Sequence, residues 1–243
     1  MNGVILAIET SGDGGGAAVL RDGELLAEAV VSGPRTHGSE LLPCIDRAVR
    51  EADANRRDID LIAVNRGPGS YTGLRIGLAT AAGLGAALDR PVVGVDCLEV
   101  MARQYVTAPG FDVALKRELW PVLDARRGEL MTARSLYDNG RLERASGDHL
   151  LAPDKLNEQG GRLAIVFGPG VEPYADKLDA NHLHVDFEDF LISPQTVGVQ
   201  AFVQLADVES AVDLPRDPVL PVYFRRVLAK TTEERSREPS AAE

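Results

Sequence analysis

A pattern that occurs twice in the same order constrains this chain more than any other feature. The segment ILAIETSGDGGGAAVLRDGELLAEA, from Ile5, is matched by LWPVLDARRGELMTARSLYDNGRLERA, from Leu119. Each is an apolar strand ending in a carboxylate, Glu9 or Asp124, then a tight turn, a second strand, a hairpin turn and a third strand. The hairpin turns are Asp22-Gly23 and Asn139-Gly140, dipeptides that suit two-residue turns with both residues at positive φ. A second pair follows in the same order: LIAVNRGPGSY from Leu61 and RLAIVFGPGVEPY from Arg162, both apolar strands running into Gly-Pro-Gly. In the first copy an amphipathic helix lies between the two segments, Ser39 to Asp53. Its face is Leu41, Ile45, Ala48, Val49 and Ala52, and Ser39 is placed to cap it. Strand LIAVN, a glycine-rich helix from Thr72 to Leu88 and strand PVVGVD from Pro91 complete the unit. HLHVDF and PQTVGVQAFVQLADVESA read as the closing strand and helix of the second copy. Such units form mixed sheets with helices packed on them, an α/β class. The expected boundaries are 1–108 for the first unit and 109–228 for the second, whose last helix is free to pack back on the first. A polar tail, 229–243, is expected to be disordered.

Composition narrows the class of function. With 44% hydrophobic and 26% charged residues the chain reads as an ordinary globular protein, and no run of eighteen apolar residues suggests a membrane span. The start, MNGVILAIETSGD, lacks the basic segment and cleavage site of a secretory signal, so a cytoplasmic location is expected. A net charge of −11 argues against a free-standing nucleic-acid binder, while leaving room for a subunit whose partner carries the basic surface. Cys44 and Cys97 have neither metal nor redox spacing and are expected to be buried thiols.

Five motifs carry a resemblance over nearly the whole chain, strongest over residues 1–130. They are ILAIETS, THGSELLP at 36–43, RGPGSYTGLRIG at 66–77, DARRGEL at 124–130 and PVYFR at 221–225. The tandem units are similar to the actin/hexokinase/Hsp70 (RNase H-like) superfamily, two copies face to face with a cleft between. Within it the motifs resemble the bacterial TsaB (YeaZ) family. That resemblance implies a non-catalytic partner of TsaD, the catalytic paralogue of the same fold. With the ATPase TsaE, the pair transfers a threonylcarbamoyl group to adenosine 37 of tRNA, giving t6A. It also implies a homodimer in isolation, contact with tRNA only through the complex, no cofactor of the chain's own, and ATP or ADP only at a heteromeric interface.

Glu9, Thr10 and Ser11 open the first hairpin, where a glycine-rich turn admits a phosphate or merely reverses the chain. Gly67, Gly69 and Ser70 lead into a helix N-terminus, which suits an anion or simply makes a tight strand-to-helix turn. Arg126, with Arg127 and Glu129, stands where the second copy's first hairpin should meet the cleft, either gripping phosphate or forming an internal ion-pair network. The catalytic paralogue holds a metal through His-x-x-x-His on its first long helix. Here His37 is followed at that spacing by Leu41, His182 and His184 are two apart, and His149 is isolated. No metal site and no catalytic residue are therefore expected. A stand-alone kinase or metallopeptidase-like enzyme of the same fold is the competing reading.

The glycine-rich helix is apolar all round after Arg75, although glycine in a helix interior costs about 0.8–1 kcal/mol against alanine. The expectation is that it packs on its own sheet and on the Ser39–Asp53 helix, and that the pair presents a small-residue surface to a partner. The expected interface residues are Leu41, Ile45, Gly73, Ile76, Gly77, Thr80, Ala81 and Leu84. The alternative is that the neighbouring helix alone covers that surface.

Overall fold

The computed structural model describes residues 3–31, 37–159, 164–178, 184–185 and 190–224. His182 and the tail 229–243 lie outside them.

The first copy builds a five-stranded sheet. β1 (Val4–Glu9), β2 (Gly15–Arg21) and β3 (Glu24–Val31) form an antiparallel meander, and β4 (Ile59–Asn65) and β5 (Val92–Val95) add parallel to β1, in the order β3-β2-β1-β4-β5. Every residue of β1 is buried, as a central strand covered on both faces requires. α1 (His37–Glu51) joins β3 to β4, α2 (Tyr71–Leu88) joins β4 to β5, and α3 (Cys97–Thr107) follows β5. α1 begins two residues before Ser39, so Ser39 lies inside the first turn and is not its cap.

The second copy repeats the plan with interruptions. β6 (Arg117–Asp124) pairs antiparallel with β7 (Leu130–Thr132) and with β8 (Ser135–Asp138) in one continuous register, Val122 opposite Thr132 and Leu119 opposite Ser135. Between these pairs stands Pro121, which has no N–H to give to the ladder. β9 (Arg141–Arg144) pairs with β8 and β10 (His149–Leu151) with β7. β11 (Ala164–Phe167) and β12 (His184–Val185) then add in parallel. Both hairpin turns have the expected geometry: φ is 53° and 84° at Asp22-Gly23, and 49° and 83° at Asn139-Gly140. Gly67 and Gly168, which open the two Gly-Pro-Gly turns, share φ of 103° and 112°, a region open to glycine.

Strand alternation sorts the core into layers. Leu6, Ile8, Ile62 and Val64 meet Leu41, Cys44, Ile45, Ala48 and Val49 of α1 on one face of the first sheet. Ile5, Ala7, Leu20 and Leu61 pack on the other face with Val100 and Met101 of α3, and the same cluster runs on to Leu119, Leu123 and Phe167 of the second sheet. The far face of the second sheet, Trp120, Val122 and Val166, meets Leu156 of α4 (Pro153–Gln159). The space between the sheets is therefore filled by one apolar cluster. Into it comes α5 (Pro194–Gln204), which lies against β1 and β2 of the first sheet although its sequence follows the second. Glu28 of β3 secures its start, accepting from Ser193 Oγ at 2.7 Å and from the Gln195 N–H at 2.8 Å.

A polar joint also links the units. Arg144, at the end of β9, donates to Asp96 Oδ1 at 2.8 Å and to Glu99 at 3.4 Å, and pairs with Asp148. The same Asp96 oxygen caps α3, accepting from Leu98 N–H at 2.9 Å. Burial pushes the Asp96 carboxyl above the usual carboxylate range and outweighs the opposing pull of Arg144. Among the described residues no helix is long and apolar enough to cross a membrane.

Candidate functional site

The C-terminal ends of parallel strands are where α/β sheets hold ligands. Here β1 delivers Glu9, Thr10 and Ser11, and β4 delivers Asn65 through Ser70. All three hairpin residues are buried: Glu9 and Thr10 at 0% exposure, Ser11 at 4%. The Glu9 carboxylate accepts from Ser11 N–H at 2.5 Å, Ser11 Oγ at 2.6 Å and Asn65 Nδ2 at 2.6 Å. Asn65 Oδ1 in turn accepts from Gly67 N–H at 2.9 Å, so this one side chain ties the hairpin to the Gly-Pro-Gly turn. Sequence reasoning passed over Asn65, and its signal was a polar residue closing an otherwise apolar strand. Ser11 Oγ lies 3.5 Å from Cys97 Sγ; burial, and next Glu9, push that thiol well up. Both cysteines are buried.

α2 closes over this hairpin from above. Ser70 N–H donates to Ser11 O at 2.7 Å, and Ser70 Oγ accepts from Gly73 N–H at 3.2 Å, capping the helix. A Cβ on Gly69 would stand 2.5 Å from Ser11 O, on Gly73 2.0 Å from Thr10 O, and on Gly77 2.2 Å from Thr10 Oγ1. The glycines are there because the first hairpin touches the helix backbone. In this packing the residues expected to meet a phosphate, Glu9, Thr10, Ser11, Gly67, Gly69 and Ser70, lie against one another: Glu9, Ser11 and Ser70 are hydrogen-bonded within the chain, and Thr10 Oγ1 is buried without a hydrogen-bond partner among the described residues.

The same geometry corrects much of the expected interface. Leu41 and Ile45 are buried beneath α1, and Gly73, Gly77 and Ala81 beneath α2, so the chain's own packing removes them from its surface. Ile76, Thr80 and Leu84 are half-buried at the helix flanks. The open side of α2 carries Arg75, Ala79, Ala82, Gly83, Ala86 and Ala87 instead, and a Cβ on Gly83 would meet nothing within 4 Å. Leu42 of α1 is 61% exposed. At the end of α2 a cavity of about 310 Å³ opens between Leu78, Ala82, Ala86 and the segment Arg216–Val219. That segment is strapped down by Arg216 to Asp89 at 2.5 Å, by Val222 N–H to Arg66 O at 2.7 Å, and by Tyr223 against Tyr71 with ring centroids 5.0 Å apart.

The second hairpin stays open. Asp124 Oδ1 accepts from Arg126 N–H at 2.7 Å, as Glu9 accepts from Ser11 N–H, so each carboxylate closes its own turn two residues on. Arg126 pairs with Asp124 Oδ2 at 3.0 Å while its side chain is 86% exposed. Among the described residues no group of three or more His, Cys, Asp and Glu could hold a metal ion.

Residues 24–211 match the family described as TsaD: tRNA N6-adenosine threonylcarbamoyltransferase. The chain is 31% identical over 176 residues to the tRNA threonylcarbamoyladenosine biosynthesis protein TsaB of Escherichia coli, covering 71% of this chain and 74% of that one. The chain belongs to the TsaB (YeaZ) family. The TsaB of Bacillus subtilis is 36% identical over 144 residues, 59% of this chain and 60% of that one. A solved structure titled YeaZ from Pseudomonas aeruginosa superposes with a TM-score of 0.75 at 26% identity, covering 91% of this chain and 99% of that one. The TsaB fold of two tandem mixed sheets with flanking helices is therefore shared along nearly the whole length.

Proposed function

We propose that this chain is a non-catalytic scaffold subunit in the biosynthesis of tRNA threonylcarbamoyladenosine, the process named for its TsaB relatives. The observation that carries the reading is the buried, internally bonded start of the first hairpin, Glu9 to Ser11. A nucleotide-using enzyme of this fold needs free polar groups after the first strand, and here Glu9, Thr10 and Ser11 are buried against α2 with the carboxylate engaged by Ser11 and Asn65. The same feature weighs against a stand-alone kinase or metallopeptidase. What the chain offers outward is the open face of α2, a surface of mostly small side chains that lets a second helix approach closely, and exposed Leu42 on α1. In this reading the face takes the catalytic TsaD-like paralogue, or a second copy of the chain when alone. A TsaE-like ATPase and the tRNA join through that complex, and ATP or ADP sits only at a heteromeric interface.

The test is Gly83→Leu. Open space at this position predicts a chain that melts no lower than wild type, while sedimentation with the paralogue shows affinity reduced at least about tenfold, equivalent to about 1.4 kcal/mol. Unchanged affinity would remove the α2 face as the interface. A wild-type chain that never co-sediments with the paralogue, or that hydrolyses ATP by itself, would overturn the scaffold reading.

A further inference from the structure

We propose that the hairpin tip Arg126-Arg127 is a phosphate-recognition site for a ligand presented from outside the chain. The chain carries 37 acidic against 26 basic side chains, yet two adjacent guanidiniums stand exposed at the turn between β6 and β7. Their backbone is held where arginine is disfavoured: φ is 64° at Arg126, 59° at Arg127 and 83° at Gly128, three successive residues in the left-handed region. Glycine occupies that region freely, whereas a Cβ crowds the following carbonyl. The turn is nevertheless fixed from several sides. Ala125 N–H donates to Glu129 O at 3.0 Å, Glu129 N–H to Arg126 O at 3.3 Å, and Tyr174 OH to Asp124 Oδ1 at 2.9 Å. Strain held by surrounding structure, at positions where glycine would relieve it, points to a role for the side chains themselves.

Their chemistry names the ligand class. A guanidinium presents a planar fork of donors that matches two phosphate oxygens, and two of them together suit a group with more than one negative charge. Asp124 orients Arg126 while leaving it exposed, and Arg127 makes no ion pair among the described residues. The contrast with the first unit sharpens the assignment: the corresponding hairpin there exposes an acid, Asp13, between two glycines, and this one exposes two guanidiniums. The inference does not depend on the partner assignment above, since the isolated chain carries both arginines.

The experiment titrates the full chain with inorganic triphosphate by calorimetry and with a short single-stranded oligouridylate by fluorescence anisotropy. At least one probe is expected to bind, with affinity falling as salt rises. Triphosphate alone would identify a free polyphosphate ligand, and binding of the oligonucleotide a phosphodiester backbone. The double variant Arg126→Gln/Arg127→Gln should bind at least about tenfold more weakly and melt as wild type does, because both side chains are exposed. Arg127→Gly should also lose binding, yet raise the melting temperature by about 2–4 °C as the strain is relieved. Failure of wild type to bind either probe, or equal binding by the double variant, would overturn the proposal. So would a Gly variant that melts below wild type, since the strain argument would then be void.

Discussion

Three glycines of one helix, each replaced by alanine, should respond with different signs. Alanine is the better helix former by about 0.8–1 kcal/mol at all three positions. At Gly83 the added methyl meets nothing within 4 Å, so the gain stands and the chain should melt about 2–4 °C higher. At Gly73 the methyl would lie 2.0 Å from Thr10 O, a backbone atom, where real contacts do not come under 3.0 Å. Hairpin and helix must separate by an ångström or so, against the Ser70–Ser11 bond and the buried core beneath. Overpacking of this kind costs roughly 1–3 kcal/mol, and a backbone obstacle places it high in that range, leaving a net loss of about 1–2 kcal/mol. At Gly77 the obstacle is Thr10 Oγ1 at 2.2 Å, and the next atom, Thr10 Cβ, is at 3.4 Å. Thr10→Ala removes the obstacle, so Gly77→Ala should be harmful alone and tolerated in that background, with a coupling of about 1–2 kcal/mol. Urea unfolding followed by circular dichroism, with unchanged m, measures all of these. If Gly73→Ala and Gly77→Ala are as stable as Gly83→Ala, or the cycle is additive, the hairpin does not hold this helix and the account of the site fails.

Glu9→Gln replaces an acceptor facing three donors with a group that must turn an NH₂ toward one of them, and should cost about 1–3 kcal/mol in the same assay. Asp96 supplies a pH signature. Its folded pKa is raised, so the folded chain holds this proton more tightly than the unfolded chain, and its share of stability falls as pH rises above about 4 through the raised value. Asp96→Asn keeps an oxygen for the α3 cap and should flatten that part of the stability–pH curve, as urea melts at a series of pH values would show.

Much of the fold is legible in the sequence because it depends on neighbours. Asp22-Gly23 and Asn139-Gly140 specify their turns within two residues, and the spacing of Leu41, Ile45, Ala48 and Val49 specifies one buried face of α1. Alternation and order within the two copies specify two sheets of one plan. The helix from Tyr71 to Leu88 shows where such reasoning stops. Its composition says that both sides are apolar and small, but not which side the sheet takes, so Gly73, Gly77 and Ala81 look available although they are buried. The atoms that require those glycines belong to Thr10, more than sixty residues earlier in the chain. The Glu9–Asn65 bond spans 56 residues, the Glu28 tether of α5 spans 165 and 167, and the Arg144–Glu99 contact spans 45. Hydrogen-bond capacity and steric size are properties of each residue and are written locally. Which distant backbone comes to lie against them is settled only when the sheets and helices pack, and that packing buries the start of the first hairpin, Glu9 to Ser11, against α2 while leaving Arg126 and Arg127 exposed on the second.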